Sequence, residues 1–295
     1  MAMPAETAKK TVTTAALDAL LSRFPVHATS MGANALQYRQ SGNSHIAPTH
    51  VLLHGIGSGS ASWVHQLVAA QASHRLHLLA WDAPGYAGSS PLPMEAPDAS
   101  AYALRLWQWL DAMGATAPIT LVGHSLGCLV AAFAARTAPA RVSRLILLAP
   151  AQGYARAPAP ERDKKLQDRL AVLASLGPLG MAQKRGHAML SPQASEEQRQ
   201  FVQGVMAQII PAGYSQAARL LAHGDLLADL AKVTCPITVA SGEADGITAP
   251  AGCQAVAAAV QTPYISLGAV GHVCALEAAT AVSHLIGLMA PEGPL

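Results

Sequence analysis

A chain of 295 residues, 51% of them hydrophobic and 12% charged, is too apolar for disorder and long enough to bury one large core or two small ones. Its 19 basic and 17 acidic residues leave a net charge of +2 and lie scattered, with no basic stripe interleaved with aromatics, so nucleic acid is not an expected partner. The 4 cysteines, Cys128, Cys235, Cys253 and Cys274, form no C-x-x-C pair, which argues against a zinc site or a disulfide framework and for reduced thiols in a cytoplasmic protein.

The chain opens on MAMPAETAKKTVTTAALDAL, where Asp18 interrupts the apolar core a signal peptide needs, and no export signal is expected. Residues 1–25 read as an N-terminal extension with a short helix near Ala15 to Arg23. PVHATSM and ALQYRQ flank Gly32-Ala33-Asn34 and read as a hairpin. Short β-rich runs follow, each closed by a turn: HVLLHGI, RLHLLAWDA, ITLVGHS, RLILLAP, PITVASGEAD and PYISLGA. Between most of them lie helix-like segments, Ser62 to Ala72, Ser100 to Met113, Leu126 to Thr137 and Ala251 to Val260, with a last one from Val273 to Met289. This alternation predicts an α/β fold, a mostly parallel sheet covered by helices on both faces.

The apolar run from Ile119 to Ala135 approaches the length of a membrane span, roughly 17 to 25 residues. Gly123, His124, Ser125 and Gly127 sit near its centre, and a histidine at mid-depth is costly, so a buried strand turning into a buried helix fits better and no membrane contact is expected.

The alternation breaks once. Residues 151–230 hold no convincing strand, begin with the proline-rich ARAPAPERDKKL and turn helical. The sheet core therefore comprises residues 26–150 and 231–295, and residues 151–230 read as a helical lid inserted where ligands bind in doubly wound sheets, above the carboxyl ends of the strands, with a separate helical domain that takes no part in binding as the alternative. The charged run ERDKKLQDR reads as a solvated helix face. Leu173, Leu176, Leu179, Met181, Met189, Leu190, Met206, Ile209 and Ile210 exceed what an exposed insertion can carry, so some should pack on the core and others roof a pocket. Arg185 and Arg219 are lid cations suited either to the surface or to a substrate carboxylate.

Gly123-His124-Ser125-Leu126-Gly127 is G-x-S-x-G directly after the strand ITLV and before a helical pattern, the context of a nucleophile elbow. A serine hydroxyl needs a base, and the base an orienting acid. In the chain order Ser, Asp, His, the loop SGEADGITAP offers Asp245, with Glu243 as a weaker neighbour, and GAVGHVCALE offers His272. Asp225 and Asp229 precede the strand that the acid should follow. Of the 12 histidines, His45, His50, His74 and His77 lie in polar stretches and read as surface residues, while His124, inside the elbow, reads as a structural hydrogen-bonding group. An oxyanion is expected to meet two backbone amides, that of Leu126 after the nucleophile and that of Ile56 after the strand ending in His54-Gly55. GIGSG is not a phosphate cradle, since it lacks a P-loop lysine and the full G-x-G-x-x-G spacing.

HGIGSGSASW, WDAPGYAGSS, GHSLG, SGEADGITAP and GAVGH, in that order over about residues 26 to 290, resemble the α/β-hydrolase fold superfamily. The resemblance implies acyl transfer to Ser125 and hydrolysis of the acyl-enzyme by water that His272 activates. It calls for no metal and no organic cofactor. Two departures stand out. Ala87 takes the position of the second glycine in D-x-P-G-x-G-x-S, and the nucleophile is serine rather than the aspartate of dehalogenases and epoxide hydrolases. The single lid is similar to that of meta-cleavage product hydrolases, enol-lactonases and small carboxylesterases. His124 before the serine and Val273 after the histidine depart from the carbon–carbon hydrolases. The expected partner is a small, largely apolar ester, lactone or enol-type substrate, with a carbon–carbon hydrolase or a ligand receptor on the same fold as alternatives. The oligomeric state is not legible.

Overall fold

The computed structural model describes residues 15–289; the stretch MAMPAETAKKTVTT, on which the expectation about export partly rests, lies outside the described residues. Helix α1 (Ala15–Ser22) leads into the hairpin of β1 (His27–Met31) and β2 (Asn34–Gly42). Met31 pairs with Asn34, so Gly32 and Ala33 form the turn, and Gly32 takes a φ of 65° there. The remaining strands are β3 (His50–Leu53), β4 (His77–Trp81), β5 (Ile119–His124), β6 (Val142–Leu148), β7 (Ile237–Ser241) and β8 (Tyr264–Ser266). They build one 8-stranded sheet in the order β1-β2-β4-β3-β5-β6-β7-β8, antiparallel across β1, β2 and β4 and parallel elsewhere.

The central strands read as unbroken apolar runs because both of their faces are covered. Alternate residues nevertheless go to opposite sides. Val51, Leu53, Leu121, Leu145 and Leu147 pack with Leu106, Trp109 and Val130, whereas Leu52, Val122, Ile146 and Leu148 pack with Trp63, Leu67, Val282 and Ile286. The helices on the sheet are α2 (Val64–Ala70), α3 (Ala99–Ala112) and α4 (Gly127–Thr137). The Asp98 side chain accepts from the Ala101 N–H and caps α3.

The segment between β6 and β7 is helical, as expected: α5 (Ala159–Arg185), α6 (Glu196–Ala207), α7 (Pro211–His223) and α8 (Leu226–Leu230). Helix α5 bends at Gly177, whose φ of 62° and ψ of 179° leave the helical region just before Pro178. Ser195 and Gln198 form a capping box at the start of α6. The two ends of the insertion are laced together. Tyr154 N–H donates to Leu221 O at 3.1 Å, Ala155 N–H to Gly224 O at 3.2 Å, and Leu226 N–H to Gln152 O at 3.0 Å. Leu173, Met181, Leu190, Met206 and Ile209 are buried, but Leu176, Leu179 and Ile210 are exposed. Among the described residues no helix is long and apolar enough to cross a membrane.

After β7 come α9 (Pro250–Ala259), α10 (Cys274–Glu277) and α11 (Ala279–Leu285). The last helical stretch is thus two helices, divided at Ala278 by a φ of −113° and a ψ of 45°. Two histidines expected at the surface are buried: His50 Nε2 meets the Ile286 carbonyl at 3.0 Å, and His77 Nδ1 meets the Ile46 carbonyl at 2.8 Å. These carbonyls satisfy polar atoms that burial would otherwise penalise. His45 and His74 are exposed, as expected.

Candidate active site

Because β3 and β5 are parallel neighbours, as are β7 and β8, four loops open at the same edge of the sheet. They carry Ile56, Ser125, Asp245 and His272. Ser125 has a φ of 54°, a strained conformation for a residue with a Cβ, costing roughly 1–3 kcal/mol. Its backbone is tied on both sides: its N–H donates to Leu148 O at 3.0 Å and its carbonyl accepts from Ala151 N–H at 3.2 Å. The flanking glycines are required by space. A Cβ on Gly123 would stand 2.7 Å from the Cys128 backbone, and one on Gly127 would stand 2.3 Å from the Leu53 carbonyl oxygen.

His272 Nδ1 lies 2.9 Å from Asp245 Oδ2, with both side chains out of solvent. A nitrogen facing a carboxylate carries its proton there, which leaves Nε2 with its lone pair free. Asp245 Oδ1 accepts from the Ile247 and Thr248 amides at 2.8 and 2.9 Å. Burial pushes the Asp245 carboxyl up, but the hydrogen bond and charge of His272, with the donors of Thr248, outweigh it and hold the group below the usual carboxylate range. Glu243 is engaged elsewhere, accepting from Ser266 Oγ at 2.7 Å, and Asp225 and Asp229 pair with Arg156 and Arg136.

The Ile56 loop is fixed by side chains on every side. Ala83 N–H donates to His54 Nε2 at 3.0 Å, so His54 carries its proton on Nδ1 and donates it to the Gly55 carbonyl, 2.7 Å away. Across a trans peptide the Ile56 N–H then points away from His54. Tyr86 Oη donates to the Ile56 carbonyl at 2.7 Å, and Asp82 accepts from both the N–H and the hydroxyl of Ser60. Among the described residues neither the Ile56 nor the Leu126 N–H is taken by a protein acceptor. Gly55 lies against the elbow, where an added Cβ would come within 3.0 Å of Ser125 Cβ.

Ser125, His272 and Ile56 line one cavity of about 560 Å³, roofed by Met181, Met189, Met206 and Leu221 of the insertion. A hydroxyl, an imidazole lone pair and two unused amides around such a space can move a proton and stabilise a developing oxyanion. Residues 51–285 match the alpha/beta hydrolase family.

The chain belongs to the alpha/beta hydrolase family.

This hydrolase is 33% identical over 236 residues to a pimeloyl-[acyl-carrier protein] methyl ester esterase of Photobacterium profundum, covering 73% of this chain and 88% of that protein. It is 27% identical to an (E)-2-((N-methylformamido)methylene)succinate hydrolase of Acinetobacter baylyi, over 66% of this chain and 72% of that one. The enol-lactonase of Burkholderia xenovorans shares its fold, with a TM-score of 0.77 at 21% identity over 88% of this chain and 98% of the other.

The hydrolase contains further groups at the site that no local pattern marks. Thr248 Oγ1 lies 2.8 Å from Asp245 Oδ2, 3.2 Å from His272 Nδ1 and 3.1 Å from the Ala149 carbonyl, bridging the acid–histidine pair to the end of β6. Ala87 holds a φ of 48°, so the alanine keeps the left-handed backbone that the glycine of the motif would supply. Arg219 is tied to Glu95 at 2.6 Å, while Arg185 lines the cavity together with Arg169, which the sequence did not single out.

His124 Nε2 donates to the His272 carbonyl at 2.8 Å, a structural bond as expected. Burial, then the neighbouring His272, push its pKa down to about 3. An unfolded chain takes up this proton as pH falls through about 6.5, and the folded one does so only near 3. Stability should therefore be lost progressively across that window, by about 1.4 kcal/mol per pH unit from this residue. His54, lowered by burial as well, adds the same sign. Urea midpoints measured from pH 7 to about 4.5 should fall steeply, and less so in His124→Gln. A flat profile would show that neither histidine is buried neutral.

Proposed function

We propose that the hydrolase cleaves carboxylic esters through an acyl-enzyme on Ser125. His272 takes the serine proton and later activates water, Asp245 orients the imidazole, and the Ile56 and Leu126 amides hold the oxyanion. The observation that carries this reading is the buried 2.9 Å contact of His272 with Asp245, with His272 and Ser125 on the wall of the same cavity. A methionine-lined cavity of about 560 Å³ favours a small substrate with an apolar body, an ester, lactone or enol ester, over a peptide or polysaccharide, which need a longer cleft. The insertion then acts as a lid that sets the acyl and leaving groups.

A panel of short-chain alkyl esters, lactones and vinylogous diketones tests this reading on the purified protein. Methyl esters come first, because the Photobacterium relative is named a methyl ester esterase. Turnover of esters or lactones is expected; turnover of the diketones alone would assign carbon–carbon cleavage instead, and binding without any turnover would assign a receptor.

The oxyanion loop gives a second expected result. His54→Phe keeps the ring but loses the proton that fixes the Gly55 carbonyl, freeing the Ile56 peptide to turn. Loss of one such donor lowers kcat by roughly 10²- to 10³-fold elsewhere; here about 10- to 100-fold is expected, with KM nearly unchanged, because the amide remains but is no longer held. A change confined to KM would remove His54 from this role.

A further inference from the structure

The cavity beside Ser125 carries charge that ester hydrolysis alone does not use. Arg169 and Arg185 of α5 both line it, and among the described residues no Asp or Glu side chain does. Several other cations of the insertion meet acids, while Arg199 bonds the Ser191 and Pro192 carbonyls. Arg156 bonds Asp225 at 2.9 Å, Lys164 bonds Asp168 at 2.6 Å, Lys165 reaches Glu161 at 2.9 Å and Arg219 reaches Glu95 at 2.6 Å. Arg169 has only a phenol, donating to Tyr214 Oη at 3.2 Å. Arg185 makes no hydrogen bond or ion pair among the described residues. Both arginines are half-buried.

Guanidinium groups drawn partly out of water without a counter-ion are unfavourable, and an incoming anion relieves them. Their placement is not accidental to the fold. Arg169 lies on the arm of α5 before Gly177 and Arg185 on the arm after it, and both arms reach the same cavity across the bend at that glycine. Arg169 stands close enough to Tyr86 for its charge to act on that hydroxyl, which in turn holds the Ile56 carbonyl. Both guanidinium groups thus share a cavity with Ser125, and Met181, Met189, Met206 and Leu221 give that cavity an apolar wall.

We propose that the substrate is an ester carrying a carboxylate remote from the scissile carbonyl, with Arg169 and Arg185 as the anion subsite; this rests on the reading of the cavity as the site of hydrolysis at Ser125. The planar, multiply donating guanidinium suits a carboxylate, and the apolar wall takes the methylenes between the two ends.

The test compares monomethyl with dimethyl esters of a series of dicarboxylic acids of increasing length. The wild-type enzyme should favour the charged monoester in kcat/KM by about 10- to 100-fold at the best length. Arg169→Met and Arg185→Met should each bring the ratio towards one, Arg169→Lys should keep part of it, and added salt should shrink it. The ratio is internally controlled, since a misfolded fraction lowers both rates alike. In parallel, calorimetric titration of Ser125→Ala should show the monoester binding more tightly than the diester, and the additional Arg169→Met change should erase the difference. Equal rates for the two esters, or arginine variants that slow both alike, overturn the anion subsite and leave Ser125 as nucleophile. Preferential monoester binding without turnover of any ester upholds the subsite and overturns the esterase reading.

Discussion

Ser125→Ala should lower kcat/KM for every substrate ester by about 10⁴-fold or more, and His272→Ala should do the same. In the proposed mechanism the three side chains act as a unit: the hydroxyl is a poor nucleophile until the imidazole takes its proton, and the imidazole is useful only while its other nitrogen is held by Asp245, 2.9 Å away. The double variant should therefore be no worse than either single one. Asp245→Asn should cost somewhat less than Ser125→Ala, since it preserves shape but removes the charge that fixes the tautomer. A fluorophosphonate probe should label wild-type Ser125 and leave Ser125→Ala unmodified, as read by the mass of the labelled peptide. Near-normal hydrolysis by Ser125→Ala would sink the mechanism.

The second large effect is structural. Gly127→Ala should destabilise the protein by about 3 kcal/mol or more, beyond the usual 1–3 kcal/mol of overpacking, because the new methyl would meet backbone atoms rather than movable side chains. Those atoms are the Leu53 and His54 carbonyl groups at the end of β3, 2.3 to 2.9 Å from the added carbon. Gly204→Ala is the control, since Gly204 lies on the exposed face of α6 with nothing within 4 Å of an added Cβ. It should raise stability by about 0.5–1 kcal/mol through helix propensity and reduced chain entropy. Denaturant midpoints of the two proteins should move in opposite directions; equal shifts would mean that the elbow has room to spare.

The elbow is legible in the sequence because steric crowding selects glycine on both sides of Ser125. The strands are legible because β3, β5 and β6 are buried on both faces and leave unbroken apolar runs. What stays hidden depends on partners distant in the chain. The burial of His50 and His77 needs the carbonyls of Ile286 and Ile46, which no local pattern announces. The fixing of Ile56 by His54 and Tyr86, and the bridge that Thr248 makes to Ala149, exist only once the loops converge. Arg169 sits within a charged run that reads as a solvated face, and only the helix's orientation over the cavity separates it from its exposed neighbours.

The backbone bonds between Tyr154 and Leu221, Ala155 and Gly224, and Leu226 and Gln152 give the insertion a neck. To the sheet, the whole insertion is a loop whose ends are already closed, and closure entropy grows only logarithmically, about 0.6 kcal/mol per doubling of length. Lengthening, shortening or exchanging what lies beyond the neck thus perturbs the folding of the sheet little. In evolutionary terms, selection can rebuild the roof over the cavity, moving cations or methionines in and out, while the elbow beneath continues to fold.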